Sequence, residues 1–266
     1  MARTFRLTLE YDGAEFEGWQ IQPGGRRTVQ GVLEIALARV TRERVRAVGS
    51  GRTDAGVHAE GQVASVRLET GLEPERLRCA LNAALPDDVV MRELAVARDE
   101  FDARRDATGK LYRYSLWNAP DRAPLRRRRS LCLQRPLDLT RIRAAAAQLV
   151  GSHDFASFQA AGSQVKSSVR TLFRLDVTGE SGSAVDLWFE GSGFLRHMVR
   201  NLSGTLIEVG SGRRDPEGMT ALLAARDRQR AGPTAPPHGL TLVSVSYPDG
   251  LRSPSARCAK LADCSC

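Results

Sequence analysis

Hydrophobic and polar residues alternate along several short stretches of the chain, a pattern typical of β-strands that bury one face. The first stretch places Phe5, Leu7 and Leu9 on one face and ends at the turn dipeptide Asp12–Gly13, which predicts a half-buried strand. Comparable stretches predict further strands over residues 44–48, 61–68, 89–96, 110–116, 169–177, 184–189 and 240–247.

Apolar residues at helical spacing predict α-helices between these strands. Thr28 is a candidate N-cap for a helix that continues to Val40, and either Asp138 or Thr140 caps another that ends at Gly151. Other helices are predicted from residue 74 to near residue 86, over 194–209 and over 216–222.

Strands and helices are mixed in both halves of the chain, without a strict βαβαβ order. We therefore predict an α+β fold of two halves, each a sheet with helices on one face. The N-terminal half is assigned residues 1–105 and the C-terminal half residues 106–248. Residues 249–266 are expected to form a disordered tail outside the fold.

The composition excludes several classes of protein. With 266 residues, 42% of them hydrophobic and 26% charged, the chain can form about two domains with a sizeable core. No apolar run approaches the ~18–20 residues that cross a membrane, and no apolar signal core stands near Met1. We expect a cytoplasmic protein in which Cys79 and Cys132 are small, reduced core residues.

The net charge of +8 is evidence about the kind of molecule that the protein binds. A basic balance favours a polyanion such as nucleic acid, although a GC-rich genome that replaces lysine by arginine is an alternative cause. Most of the excess lies between Phe101 and Arg135, where 10 basic and three acidic residues give +7. Aromatic residues are interleaved with these arginines, as suits phosphate contact and base stacking, but a solvated basic face over core aromatics has the same pattern.

The segment Gly49–Ala59 is too polar and too rich in glycine for regular structure, and it lies between two predicted strands. Asp54 is a candidate catalytic carboxylate, or else an ordinary turn aspartate. His58 is a candidate base, or else a packing histidine. We find no nucleotide-binding loop, no serine nucleophile elbow and no cluster with metal-ligand spacing. Any reaction must therefore use a carboxylate without an evident cofactor.

The segment Arg52–Ala59 resembles the signature of the tRNA pseudouridine synthase A family. The resemblance continues in the same order along the chain and extends over residues 5–248. The other matching segments are Gly18–Gln22, Thr28–Gly31, Phe101–Tyr114, Gly193–Gly210 and Ala231–Leu240.

This resemblance implies an isomerase that converts uridine to pseudouridine at positions 38, 39 and 40, in the anticodon stem-loop of tRNA. Enzymes of the family are homodimers that use neither a metal nor an organic cofactor. The implied pseudouridine synthase fold has two pseudo-symmetric halves, each with a mainly antiparallel sheet and with helices on one face. A catalytic cleft lies between these halves.

The resemblance also assigns roles to single residues. It implies that Asp54 is the nucleophile, that Arg200 is its cationic partner and that Tyr112 binds the target uracil. Tyr114 faces the same side of its strand, so spacing alone does not choose between the two tyrosines.

Three further arginines are assigned to RNA binding. Arg52 matches the arginine that is implicated in flipping the base out of its stack. Arg104 and Arg105 match a segment that contacts tRNA, although the family often has an aromatic residue at the position of Arg105. The run Arg126–Arg129 belongs to no motif of the family.

Two other functions fit parts of this pattern. A non-catalytic RNA-binding protein could use the same fold, but it would be expected to lack the aspartate, and Asp54 is present. A related synthase could modify another position or another RNA, and residue spacing does not decide the target position.

Overall fold

The computed structural model describes residues 1–162 and 165–248, so the expected tail over 249–266 lies outside the described residues. The chain divides into two compact units. The first contains Met1–Thr108 together with the segment that begins at Leu242, and the second contains Gly109–Thr241. This division falls three residues after the expected boundary at 105, and it assigns the end of the last strand to the first unit.

The chain forms ten strands and five α-helices in its described part. In chain order they are β1 (Arg3–Tyr11), α1 (Val29–Thr41), β2 (Val48–Gly49), β3 (His58–Leu68), α2 (Pro74–Ala84), β4 (Val89–Val96), β5 (Gly109–Trp117), β6 (Leu131–Cys132), α3 (Leu139–Ala147), β7 (Gly151–Asp154), β8 (Val169–Gly179), β9 (Ala184–Gly191), α4 (Met198–Gly210), α5 (Met219–Ala225) and β10 (Leu240–Ser246).

The first unit is built on strands in the order β4–β1–β3–β10, with β2 paired to β3. β1 runs antiparallel to β3 and β4, and Phe5, Leu7 and Leu9 of β1 are fully buried, as the alternating pattern predicts. Thr28 caps α1 by accepting a hydrogen bond from the N–H of Gly31. The strand predicted over 44–48 is wrong, because only Val48–Gly49 pairs with β3.

The opposite face of β1 is also buried, which corrects the prediction of a half-buried strand. Thr4, Arg6 and Thr8 are at most 9% exposed. The segment that follows β4 contributes to this burial, since the hydroxyl of Thr4 donates to the carbonyl of Asp99. The N–H of Ala103 likewise donates to the Ser65 hydroxyl, on the β3 residue that pairs with Arg6. The polar face of β1 is thus covered in part by a segment that lies about 95 residues further along the sequence.

The second unit is built on an antiparallel sheet in the order β5–β9–β8–β7, with β6 parallel to β5. Asp138 rather than Thr140 caps α3, which ends at Ala147 instead of reaching residue 151. α4 begins at Met198, four residues later than predicted, because His197 has a left-handed backbone with φ 61° that interrupts a helix.

These units confirm a mixed α/β fold class with a mainly antiparallel arrangement. The expectation for the cysteines is wrong, because Cys79 is exposed and Cys132 only half-buried. Within the part of the chain that the structure describes, no helix is long and apolar enough to cross a membrane.

Candidate active site

The loop over residues 49–57, which we call the Asp54 loop, leads from β2 into β3. Its backbone is tied to the sheet, since the N–H of Ser50 donates to the carbonyl of Val63 at 2.7 Å. Within the loop the N–H of Val57 donates to the carbonyl of Asp54 and closes a turn at 3.2 Å. The position of the Asp54 backbone is therefore fixed from both sides.

A buried network of polar side chains supports the loop from β1 and β3. The hydroxyls of Tyr11 and Thr53 are 2.8 Å apart, and both side chains are at most 5% exposed. Gln62, which is fully buried, donates to the carbonyl of Gly51 at 3.0 Å and accepts from the Ser50 hydroxyl at 2.7 Å. Desolvation by burial raises the pKa of Tyr11 to about 12, so this hydroxyl keeps its proton at neutral pH.

The segment that contains Gly18 and Trp19 supports the loop at its backbone. The N–H of Trp19 donates to the carbonyl of Thr53 at 3.0 Å. Gly18 has a φ of +89°, and a Cβ there would lie 2.7 Å from the same carbonyl oxygen. A Cβ at Gly49 would meet the indole of Trp19. Only glycine fits these two positions, so the segment of Gly18 and Trp19 can lie directly against the chain around Thr53 and Gly49.

His58 has a structural position at the start of β3. Its side chain is 4% exposed, and Nδ1 accepts a hydrogen bond from the N–H of Gly13 at 3.1 Å. The neighbouring Asp12 carboxylate accepts from the N–H of Ala14 and closes the turn over residues 12–15. His58 thus fixes this turn against β3, as the packing interpretation expects.

Two charged side chains of the loop are not fully buried. Asp54 is half-buried, whereas Arg52 is exposed. No described residue forms a hydrogen bond or an ion pair with the guanidinium of Arg52. The loop therefore combines a half-buried carboxylate with an exposed cation two residues away, which suits reaction with an anionic substrate.

Arg104 and Arg105 follow the anchored residue Ala103, but their surroundings differ. Both backbone N–H groups donate to the carboxylate of Asp102 at 2.8 Å. The guanidinium of Arg105 is held by the carboxylate of Asp106 and the carbonyl of Glu100. Arg104 is exposed and has no such partner among the described residues. Arg104 is thus the better placed of the two for an external phosphate.

Tyr112 and Tyr114 lie on β5 in the second unit, and the structure distinguishes them. Tyr114 is fully buried, and its hydroxyl donates to the carbonyl of Pro236 at 2.9 Å. Burial raises the pKa of Tyr114 against the opposing effect of the positive charge of Arg200. Tyr112 is 8% exposed and packs edge-on against Phe194 with 5.2 Å between the ring centroids. Tyr114 is thus a packing residue, and Tyr112 is the tyrosine beside an aromatic neighbour.

Arg200 lies in the first turn of α4 and is half-buried. Its Nε donates to the carbonyl of Ala235 at 2.8 Å, and the N–H of Ala235 donates back to the carbonyl of Arg200. A Cβ at Gly204 would overlap the carbonyl oxygen of Pro233, so α4 approaches this segment closely. The position of Arg200 is thus set by the segment 231–236.

Arg228 is a supporting residue that the sequence analysis did not identify. Its guanidinium donates to the side chains of Asn201 and Thr234, each at 3.0 Å, and to the carbonyl of Gly232 at 3.0 Å. Asn201 is fully buried and donates in turn to the carbonyl of Phe158. The only sequence signal was that Asn201 directly follows Arg200 in a motif.

The family model for tRNA pseudouridine synthase matches residues 8–104 and 145–248 of this chain. The chain belongs to the tRNA pseudouridine synthase family. Among its curated relatives, tRNA pseudouridine synthase A of Myxococcus xanthus is 48% identical over 92% of each chain. The enzyme of that name from Geotalea uraniireducens is 45% identical over 92% of this chain and all of its own.

Solved structures resemble this pseudouridine synthase only distantly. The archaeal box H/ACA sRNP Nop10–Cbf5 complex matches with a TM-score of 0.35 and 13% identity, over 76% of this chain and 44% of that chain.

The six residues assigned to the site of the pseudouridine synthase are distributed over both units. Asp54, Arg52, Arg104 and Arg105 belong to the first unit, and Tyr112 and Arg200 belong to the second. Within residues 1–162 and 165–248, no group of three His, Cys, Asp or Glu side chains could hold a metal ion.

Proposed function

We propose that this pseudouridine synthase isomerises uridine to pseudouridine at positions 38, 39 and 40, in the anticodon stem-loop of tRNA. Asp54 is the nucleophile in this proposal. The observation that carries it is the Asp54 loop, which fixes its backbone through buried bonds to Tyr11, Trp19 and Gln62. A preorganised carboxylate is what covalent catalysis requires.

The reaction exchanges one glycosidic bond for another without a change in composition. The bond between N1 and C1′ breaks, the uracil rotates, and C5 bonds to C1′. The hydrogen at C5 is lost as a proton and N1 gains one, so no oxidant, reductant or second substrate is consumed. The proposed enzyme accordingly uses no cofactor and no metal.

Three roles for Asp54 fit this chemistry: attack on C1′, attack on C6 of the uracil, and removal of the proton at C2′. Each of them needs the carboxylate form of Asp54. Arg200 is proposed to stabilise that negative charge, since a guanidinium beside a carboxylate favours its ionised form.

The remaining residues are proposed to hold the RNA. A uridine in a stacked stem must leave its stack to reach a carboxylate, and Arg52, exposed beside Asp54, fills the vacated space. Tyr112 stacks on the extruded uracil. Arg104 contacts phosphate, and Arg105 contributes less because its guanidinium is engaged by its own loop. We also propose a cytoplasmic homodimer, as the resemblance implies.

The role of Asp54 is tested by Asp54→Asn, which keeps the shape of the side chain and removes its charge. We expect pseudouridine formation in tRNA to fall below detection, while tRNA binding changes less than about threefold. Asp87→Asn is the matched control, because Asp87 is an exposed carboxylate without a partner among the described residues. Turnover by Asp54→Asn at the rate of this control would exclude the nucleophile role.

The target positions need a separate test. Transcripts that carry a single uridine at position 38, 39 or 40 are incubated with the enzyme, and pseudouridine is mapped by chemical sequencing. We expect each of the three to be modified, and uridines outside the anticodon arm to remain unmodified. Modification confined to another arm would refute the assignment and leave the reaction type intact.

A further inference from the structure

The segment that contains Arg122 and the run Arg126–Arg129, which we call the arginine turn (residues 122–129), is not explained by the proposed active site. It carries five arginines and no acidic residue. It lies between residues 104 and 145, the part of the chain that the family model does not match. The match to the family therefore assigns no role to this segment.

The arginine turn is compact and internally hydrogen-bonded. Pro124–Arg126 form a 3-10 helix, and the N–H groups of Arg129 and Ser130 both donate to the carbonyl of Arg126, at 2.9 and 3.0 Å. All five arginines are exposed, and Leu125 is completely exposed. Because the backbone is already ordered, binding through these side chains costs less conformational entropy than ordering a flexible basic tail.

The turn is also anchored to the sheet of the second unit. The guanidinium of Arg126 lies over the ring of Trp117, 5.1 Å from its centroid. The indole N–H of Trp117 donates to the carbonyl of Asp121 at 2.8 Å. Residues 131–132, directly after the turn, pair with the end of β5. The position of the positive charges is thus fixed relative to β5.

Three of the arginines in the turn have no carboxylate partner among the described residues. In residues 1–162 and 165–248, no carboxylate forms an ion pair with Arg122, Arg126 or Arg127. Elsewhere in the protein some exposed arginines are paired with carboxylates, as Arg92 is with Glu10 and Arg27 with Asp88. Several like charges held together without partners repel one another, so a polyanion that neutralises them is bound favourably.

We propose that the arginine turn binds phosphates of the tRNA away from the target nucleotide. This inference rests on the proposed function. Trp117, whose ring contacts Arg126 of the turn, is five residues from Tyr112 on β5. At about 3.3 Å per residue the two positions are about 17 Å apart, which is several nucleotides along an RNA strand. The turn thus adds affinity for the tRNA without touching the reacting base.

The test uses the double variant Arg122→Gln/Arg127→Gln, since both side chains are exposed and free of ion pairs to described residues. The dissociation constant for unmodified tRNA is measured from 50 to 300 mM salt. Each lost phosphate contact lowers the slope of log Kd against log salt by about 0.7–0.9, so we expect a decrease of about 1.4–1.8. KM for tRNA should rise at 150 mM salt, while kcat stays at the wild-type value.

Two further variants make the result specific. Arg39→Gln/Arg76→Gln removes the same charge from exposed positions on α1 and α2, and its slope should match that of the wild type. Arg122→Lys/Arg127→Lys keeps the charge and should restore the slope, because a point charge suffices for phosphate.

An unchanged slope in the glutamine variant of the turn would overturn the inference, as would an equal decrease in the Arg39→Gln/Arg76→Gln control. Both outcomes would leave wild-type pseudouridine formation, and with it the proposed function, unaffected. Failure of the wild-type protein to modify tRNA would contradict the proposed function instead.

Discussion

The hydrogen bond between Tyr11 and Thr53 connects the sheet to the Asp54 loop, and Tyr11→Phe removes it with little change in shape. Tyr11 is 3% exposed and Thr53 5%. After the substitution the Thr53 hydroxyl stays buried without its partner at 2.8 Å. We expect the variant to fold, to bind tRNA with the wild-type KM and to lose kcat, because the loop that carries Asp54 is held less firmly.

The magnitude follows from the burial of both groups. Leaving one buried hydroxyl unpaired costs about 1–3 kcal/mol in the free energy of unfolding. Thr53→Val alone should cost a similar amount, since it leaves the Tyr11 hydroxyl with only the longer hydrogen bond from the Gln62 amide, at 3.5 Å. The double variant removes both polar groups and should cost less than the two single variants together, by about 1 kcal/mol or more.

Urea unfolding of the four proteins measures this coupling, and pseudouridine formation under single turnover measures the effect on chemistry. Thr8→Val, at a buried threonine on the same strand, is a control for hydroxyl removal away from the loop. Additive stabilities within about 0.3 kcal/mol, or a kcat of Tyr11→Phe equal to that of the control, would refute the reasoning.

Three other predictions concern the same supports. Gly18→Ala should destabilise the protein by more than 2 kcal/mol and reduce kcat, because Gly18 has a φ of +89° and the new Cβ would meet the Thr53 carbonyl. Urea unfolding and turnover measure these two effects. Arg228→Lys should cost about 1–3 kcal/mol and reduce kcat, since a lysine cannot replace the forked contacts to Asn201 and Thr234. For alkaline pH, the folded protein keeps the Tyr11 proton up to a pKa of about 12, whereas the unfolded chain releases it near 10. The free energy of unfolding should therefore fall between pH 10 and 12, by up to about 3 kcal/mol more than in Tyr11→Phe.

Matched variants separate these effects from general strain. Gly24 has a φ of +86°, and a Cβ there would have no atom within 4 Å. Gly24→Ala therefore measures the cost of backbone strain alone. Arg230→Lys replaces an exposed arginine near Arg228 and should change neither stability nor turnover. Equal costs in Gly18→Ala and Gly24→Ala would show that contact with the Asp54 loop is unimportant. Identical alkaline unfolding of wild type and Tyr11→Phe would contradict the burial of that hydroxyl.

Local patterns predicted the regular elements well where local energetics decide them. The strand β1 and the Thr28 cap of α1 depend on residues close in sequence, and both were confirmed. The predicted start of α4 was wrong. Apolar residues begin at position 194, but the left-handed backbone of His197 means that the helix begins only at Met198. The burial of Arg6 was not predictable, because the chain that contributes to it lies far along the sequence.

The candidate site shows the same limit. The motif around Asp54 marked the loop, but it gave no reason to connect Thr53 with Tyr11, 42 residues away in sequence. Tyr112 and Tyr114 have the same spacing pattern, and contacts with residues distant in sequence distinguish them: Tyr114 donates to the carbonyl of Pro236, whereas Tyr112 packs against Phe194. Support by distant residues is a property of the tertiary structure, and no local pattern records it.

The position of β10 has a consequence for the order in which the protein is made. The first unit begins at the N-terminus, but its strand next to β3 is completed only with residues 242–246. On the ribosome, β3 therefore presents an edge that only the two residues of β2 pair with while Gly109–Thr241 are synthesised. At ~5–20 residues per second this interval lasts on the order of ten seconds. The unit that holds Asp54 is thus begun before the second unit and completed after it, so this edge of β3 stays open in the nascent chain until residues 242–246 are made.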